Sequence, residues 1–345
     1  MEVAHDSDFI FLMDSSIAAL SWGSVATSQS QVDEISKQAF QLPIAELRAL
    51  GYRPPTLPKD APVPGKDIEK SSLDIAVRDS TEIRLAIYKP IGPVSNALLF
   101  FNIHGGGWVL GQPETEEAQN RIIALKNKAV VVSVDYRKAP EYPYPIPLND
   151  CYDAFQWCLK NASSLNVNPQ CIFVGGGSAG ANLSTVLVLK ARAENITGIL
   201  GQVLNIPVTC HPKHFPTWKY QYQSYTQNAN APVVDAWKMN WFWNQYLSAL
   251  DEDVASDPSV SPLLANTKAL AELPSTLIQV AGMDPLRDEG LAYSEALKAS
   301  GVPVTVKMYS GLPHAFYIHP TLPETAEYFQ SMVDWIEATV AKVLA

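Results

Sequence analysis

Residues 171–190 read CIFVGGGSAGANLSTVLVLK. An apolar run from Cys171 to Val174 enters a glycine cluster around Ser178, and a stretch rich in Ala, Leu and Val follows. Gly176 to Gly180 matches G-x-S-x-G. A pentapeptide of this kind also arises by chance in Gly-rich loops. The predicted strand before it and the predicted helix over 181–193 supply the context in which it presents a nucleophilic serine on a sharp strand-to-helix turn. Side chains at Gly176 and Gly180 would clash with neighbouring backbone there. A phosphate-binding loop is the rival reading. The chain has no G-x-x-x-x-G-K-[ST], and Gly175-Gly176-Gly177 lacks the dinucleotide-binding spacing.

Outward from this turn, 96–206 alternates strand and helix. Strands are predicted over 96–103, 129–134, 171–174 and 199–204, and helices over 115–126, 150–162 and 181–193. The run over 129–134 is apolar on both faces, as a buried parallel strand requires. Two strands over 72–77 and 82–88 precede it, with a turn at 78–81 between them. The rhythm resumes with strands over 276–281 and 304–309 and helices over 288–300 and 325–344. This pattern predicts an α/β fold: the α/β-hydrolase fold, a mostly parallel sheet flanked by helices, with a helical cap.

Residues 208–252 break the alternation and are dense in aromatics. The organisation read from the sequence is N-terminal cap helices over 1–50, a first part of the core over 51–207, a cap insert over 208–252 and a second part of the core over 253–345. In the N-terminal part, Val32, Ile35, Ala39 and Phe40 are spaced for one helical face, with Pro43 kinking or restarting the helix. Five prolines between 54 and 64 mark an extended linker.

A serine nucleophile needs a base. Of six histidines, His314 alone follows a late core strand, and the ligand cleft of such a sheet lies at the carboxyl ends of its strands. Asp284, after the strand over 276–281, is the acid that would orient the imidazole. Asp288 competes for that role but sits at a predicted helix start, where capping explains it. The order Ser178, Asp284, His314 is that of α/β-hydrolases. Upstream, His104-Gly105-Gly106-Gly107-Trp108 leaves a strand. Gly105 and Gly106, with the N–H of Ala179, are assigned as the oxyanion hole, whose backbone donors stabilise the negative oxygen of a tetrahedral intermediate. His104 is read as organising that loop through a side-chain hydrogen bond.

With these elements in place the chain resembles the hormone-sensitive-lipase-like family of α/β-hydrolase carboxylesterases over about 70–330. The marks are His104 to Trp108, Asp135-Tyr-Arg-Lys-Ala-Pro-Glu141, Ser178-Ala-Gly180, Asp284-Pro-Leu-Arg-Asp288 and His314. The resemblance implies the same catalytic serine, acid, base and oxyanion residues, no cofactor and no metal, and a monomer or homodimer. Gly177 stands where the family usually has Asp, which resembles a fungal subset that includes esterases removing acetyl groups from polyketide intermediates. Glu141 is expected to be buried, tying its loop to the nucleophile region, with a raised pKa.

The expected activity is serine-esterase hydrolysis of small or medium, short-acyl esters of apolar or aromatic alcohols through an acyl-enzyme. Trp108, Phe215, Trp218 and Tyr220 are candidate pocket residues. An amidase or deacetylase acting on a secondary metabolite, or a non-catalytic small-molecule receptor on the same fold, are the alternatives. A formal net charge of -10 without basic clusters argues against nucleic acid. No stretch approaches the roughly 20 apolar residues of a membrane span. With an acidic N-terminus and no apolar leader, a cytoplasmic location is expected. The four cysteines lack metal-ligand spacing and are expected to be free thiols.

Overall fold

In the computed structural model, residues 37–51, 56–248 and 252–344 are described. The elements are α1 (Ile44–Gly51), β1 (Ile68–Ala76), β2 (Glu82–Pro90), β3 (Ala97–Ile103), α2 (Glu117–Lys126), β4 (Val130–Val134), α3 (Ile146–Lys160), α4 (Ala162–Leu165), β5 (Val167–Gly177), α5 (Ala179–Ala193) and β6 (Ile199–Asn205). After these come α6 (Ser224–Gln227), α7 (Ala236–Leu247), α8 (Thr267–Ala271), β7 (Ser275–Met283), α9 (Arg287–Ala299), β8 (Val304–Pro313) and α10 (Pro323–Leu344).

The eight strands form one sheet in the order β1-β2-β4-β3-β5-β6-β7-β8. β2 runs antiparallel to both β1 and β4, and the pairs from β4 through β8 are parallel. Parallel strands covered on both faces need apolar residues at every position. β3 and β4 are buried along their whole length and meet that requirement except at Asn102 and Ser133. Their side chains divide by the two-residue strand period. Phe101, Val132 and Val134 join a core with Phe155 of α3, Leu187 of α5 and Tyr293 of α9. Phe100 and Val131 face the other way, into a core with Ile123 of α2 and Met332 of α10. Ile103 pairs with Gly176, and Met283 with Pro313. The carboxyl ends of β3, β5, β7 and β8 therefore come together along one edge of the sheet, where a cleft is expected.

Element boundaries depart from the sequence expectation where glycine and proline are involved. β5 extends through Gly175, Gly176 and Gly177, and α5 starts at Ala179. The helix predicted over 150–162 begins at Ile146, because Pro147 fits the first turn, where its missing N–H is not needed. The helix predicted over 115–126 opens with a 3-10 turn, Pro113–Glu116. Around Pro43, residues 37–39 end in a turn and the chain restarts as α1, whose first bonds run from Glu46 and Leu47 to the Pro43 carbonyl. Val32 and Ile35 lie outside the described residues. Phe40 packs its ring edge-on against Trp237, Trp241 and Phe242 of α7.

Candidate active site

The β5–α5 junction forces Ser178 out of ordinary backbone space. Its φ is 55° and ψ is -120°, a strained combination for a residue with a side chain. Surrounding bonds hold it there. The Ser178 N–H donates to the Asn205 carbonyl at 2.8 Å, and its own carbonyl accepts from the Asn182 N–H at 3.1 Å. The tightness of the turn explains its glycines. A Cβ on Gly180 would lie 2.0 Å from the Ile103 carbonyl oxygen, and one on Gly176 2.4 Å from the same atom. Neither contact can relax without moving the β3 backbone.

His314 follows the end of β8 and bridges the other two predicted residues. Its Nε2 lies 3.0 Å from the Ser178 hydroxyl oxygen, and its Nδ1 lies 2.7 Å from Asp284 Oδ2. An ionised carboxylate can only accept, so Nδ1 carries the hydrogen and Nε2 presents its lone pair to the serine hydroxyl. Asp284 is fixed in turn by the Leu286 N–H, which donates to Oδ1 at 2.9 Å. All three residues are buried, Ser178 being 8% exposed. Asp288 is turned away. Its Oδ2 accepts from the N–H groups of Gln223 and Ser224, so it caps α6 from outside instead of its own helix.

The loop after β3 differs from expectation at one donor. His104 stacks on Tyr136, with ring centroids 4.4 Å apart, and its Nδ1 lies 2.7 Å from the Gly105 carbonyl oxygen. Burial depresses its pKa to about 3, so the ring is neutral and serves as a strut. The Gly105 N–H, expected in the oxyanion hole, instead donates to Glu116 Oε1 at 3.1 Å. Among the described residues no acceptor meets the N–H groups of Gly106, Gly107 or Ala179. Gly107 sits under α7, where a Cβ would land 2.2 Å from the Phe242 ring.

Of the four candidate pocket aromatics, Trp108, Phe215 and Tyr220 belong to one hydrophobic cluster and Trp218 does not. Trp108 is fully buried, stacked on Tyr246 at 4.4 Å and tilted against Trp243 at 4.5 Å. Phe215 stacks on Tyr222 at 4.0 Å and meets Tyr220 edge-on at 6.4 Å. Trp218 is 84% exposed, which is incompatible with an enclosed pocket wall. A surface cleft of about 550 Å³ lined by Arg48, Gln112, Asp135, Lys138, Glu141 and Tyr142 contains no member of the Ser178 constellation.

Glu141 is also corrected. It is half exposed, paired with Arg48 at 2.7 Å, and its pKa is lowered by that guanidinium. Arg48 also donates to the carbonyls of Val109 and Ala139 at 2.9 Å each, which links α1 to the loop after Trp108. Two buried carboxyls have raised pKa values instead: Glu116, pushed up to about 7 by desolvation, and Glu289, also raised by burial. Sequence reading had no signal for Glu116 beyond its place shortly after the glycine loop. Glu289 was missed as well. It is wholly buried and accepts the Thr209 N–H at 2.9 Å, holding the chain after β6.

Among the described residues no group of three His, Cys, Asp or Glu is arranged to hold a metal ion, and no helix is long and apolar enough to cross a membrane. The cysteines are free thiols.

Comparison with known proteins agrees with this geometry. The family model for the alpha/beta hydrolase fold matches residues 100–318. A versiconal hemiacetal acetate esterase of Dothistroma septosporum is 33% identical over 269 residues, covering 77% of this chain and 80% of its own. A carboxylesterase of Mycobacterium tuberculosis is 36% identical over 238 residues, covering 68% and 72%. The crystal structure of a thermostable esterase from Pseudomonas putida superimposes with a TM-score of 0.76 at 29% identity, covering 94% of each chain. The chain belongs to the α/β-hydrolase fold family, in its hormone-sensitive-lipase-like carboxylesterase branch, and is a carboxylic-ester hydrolase.

Proposed function

We propose that the protein hydrolyses small or medium, short-acyl esters of apolar or aromatic alcohols through an acyl-enzyme on Ser178, with His314 as base and Asp284 as acid. The observation that carries this reading is the unbroken run of hydrogen bonds from Asp284 through His314 to a serine in strained backbone. As the Ser178 oxygen attacks the ester carbonyl, its proton passes to His314 Nε2. The new C–O bond converts the carbonyl to a tetrahedral oxyanion. The free N–H groups of Gly106, Gly107 and Ala179 are its donors in this reading, with the amino end of α5 adding a favourable dipole.

The imidazolium then protonates the departing alcohol as the ester C–O bond breaks. Water, deprotonated by the same nitrogen, attacks the acyl carbon and returns the proton and the free serine. Asp284 stays ionised and balances the imidazolium.

Residues 37–50 and the insert over 208–252 form a cap in this account, the rest of the expected N-terminal cap helices lying outside the described residues. Phe40 packed on α7, Trp108 stacked under Tyr246 and Phe242 against Gly107 support it. The preference for an apolar or ring-containing alcohol rests on this aromatic roof. The preference for a short acyl chain draws on the Dothistroma relative, which is named for an acetate ester.

A series of p-nitrophenyl esters from acetate to dodecanoate, followed by acetylated aromatic alcohols, tests this. Turnover peaking at short acyl chains and favouring aromatic acetates is the expected result. A peak at long chains, or amide turnover above ester turnover, would contradict it.

A further inference from the structure

We propose that Glu116 is the positioning residue of the oxyanion loop, its carboxyl group tying the Gly105 N–H to the Asn102 amide of β3 in the space left open at Gly177, and so setting where the loop's free donors stand relative to Ser178. The proposal rests on the esterase reading of the site.

Glu116 reaches the site from the 3-10 turn between the loop and α2 and is 5% exposed. Oε1 accepts the Gly105 N–H at 3.1 Å and Oε2 accepts Asn102 Nδ2 at 3.0 Å. One carboxyl group thus joins the end of β3 to the oxyanion loop and lies against the residue before the nucleophile. Gly177 makes room for it. A Cβ there would lie 2.6 Å from Glu116 Oε1 and 2.9 Å from the Tyr317 hydroxyl. The space that a side chain beside the nucleophile would enter is filled by a carboxyl delivered from a different segment.

A second feature points the same way. Asn102 is the last link of a buried, one-directional chain of side chains. The Tyr309 hydroxyl donates to Gln279 Oε1 at 2.7 Å and Gln279 Nε2 to Asn205 Oδ1 at 3.0 Å. Asn205 Nδ2 then donates to Gln119 Oε1 and Gln119 Nε2 to Asn102 Oδ1, each at 3.0 Å. The chain crosses β8, β7, β6, α2 and β3, and every link aims its donor end toward Glu116. Aligned donors polarise one another, and only an acceptor satisfies the last of them. The titratable groups facing Glu116 are phenols: Tyr136 after β4, Tyr317 after His314 and Tyr328 of α10. Among the described residues no cation is paired with the Glu116 carboxyl. The ionised form therefore depends on the Gly105 and Asn102 donors, against a desolvation that favours the neutral acid.

The test compares wild type with Glu116→Gln, Glu116→Ala and Gln119→Met on p-nitrophenyl acetate between pH 5 and 9, with melting temperatures and the affinity of a trifluoromethyl ketone that forms a tetrahedral oxyanion adduct. Glutamine must turn an N–H₂ toward one of the donors, so it breaks the tie without changing shape. Removing an oxyanion donor costs about 10²–10³ in kcat, and a displaced loop is expected to cost about tenfold to a hundredfold of it. KM should stay within about threefold, ketone affinity should fall in step with kcat, and Gln119→Met should show the same split more weakly.

The base must be unprotonated to act, giving one ionisation on the acid limb of the wild-type profile. Glu116 adds a second, which the glutamine variant lacks. Wild-type kcat and ketone affinity in Glu116→Gln, or losses that follow only the folded fraction, would overturn the proposal. Turnover that survives Ser178→Ala would instead overturn the site assignment beneath it.

Discussion

The turn from β5 into α5 and the segment from Thr209 to Ser248 are held by different forces. In the turn the constraints are backbone ones. Gly176 and Gly180 abut main-chain oxygens, and Ser178 is locked by main-chain bonds to Asn205 and Asn182. In the insert the contacts are ring on ring: Phe215 on Tyr222, Trp243 and Tyr246 on Trp108, and Phe40 wedged at α7. A backbone constraint admits one residue type. An aromatic cluster tolerates exchange as long as volume and pattern are kept.

The comparison can be broken at several points. Asp284→Asn should give the largest loss, about ten-thousand-fold in kcat, because the amide stabilises the wrong imidazole tautomer. Steady-state kinetics with an unchanged melting temperature would check it. Gly180→Ala should come next. Its methyl group meets fixed main-chain oxygens, and overpacking of this kind costs about 1–3 kcal/mol or more. Melting temperature and fluorophosphonate labelling of the serine should both fall.

Gly107→Ala probes the boundary between the two regions. The added methyl collides with a side chain, Phe242, so Phe242→Ala should recover much of the lost kcat. A main-chain collision could not be relieved in that way. The coupling is read from a double-mutant cycle, where touching residues typically show interaction energies of about 0.5–3 kcal/mol.

Glu116 sharpens the comparison through stability. Its carboxyl is raised from 4.5 to about 7, so between those values the folded protein keeps a proton that the unfolded chain has released. Stability from this group is complete below about 4.5 and is lost as pH rises through 7. Glu116→Gln should therefore melt a few degrees above wild type at pH 8, and by less at pH 5. Activity falls while stability rises, as expected where a buried charge is kept for function. Trp218→Ala should have the smallest effect. An indole this exposed lends little to the core, and kcat/KM and melting temperature should match wild type.

The same contrast explains what could be read in the sequence. The buried runs of β3 and β4, the glycines flanking Ser178 and the order of the three polar residues each follow from local geometry, and each was legible as a pattern. Glu141 and Gly105 were not. Which carboxyl is buried near the nucleophile depends on whether Glu141 meets Arg48 and whether position 177 is empty. Those are matters of packing between distant segments. Asp288 sits at the start of a helix yet caps a different one, for the same reason. Trp218 was misjudged because an aromatic-rich stretch encodes burial without encoding which rings face each other and which face solvent.

The account turns on a covalent intermediate at Ser178, and acid-quenched peptide mass spectrometry during turnover of p-nitrophenyl acetate tests that most directly. The acetyl group should appear on the peptide carrying Ser178, with a matching burst of p-nitrophenol, and both should vanish in Ser178→Ala together with at least about a thousandfold of the activity. Undiminished turnover in Ser178→Ala, or an acetyl group carried at another residue, would contradict it.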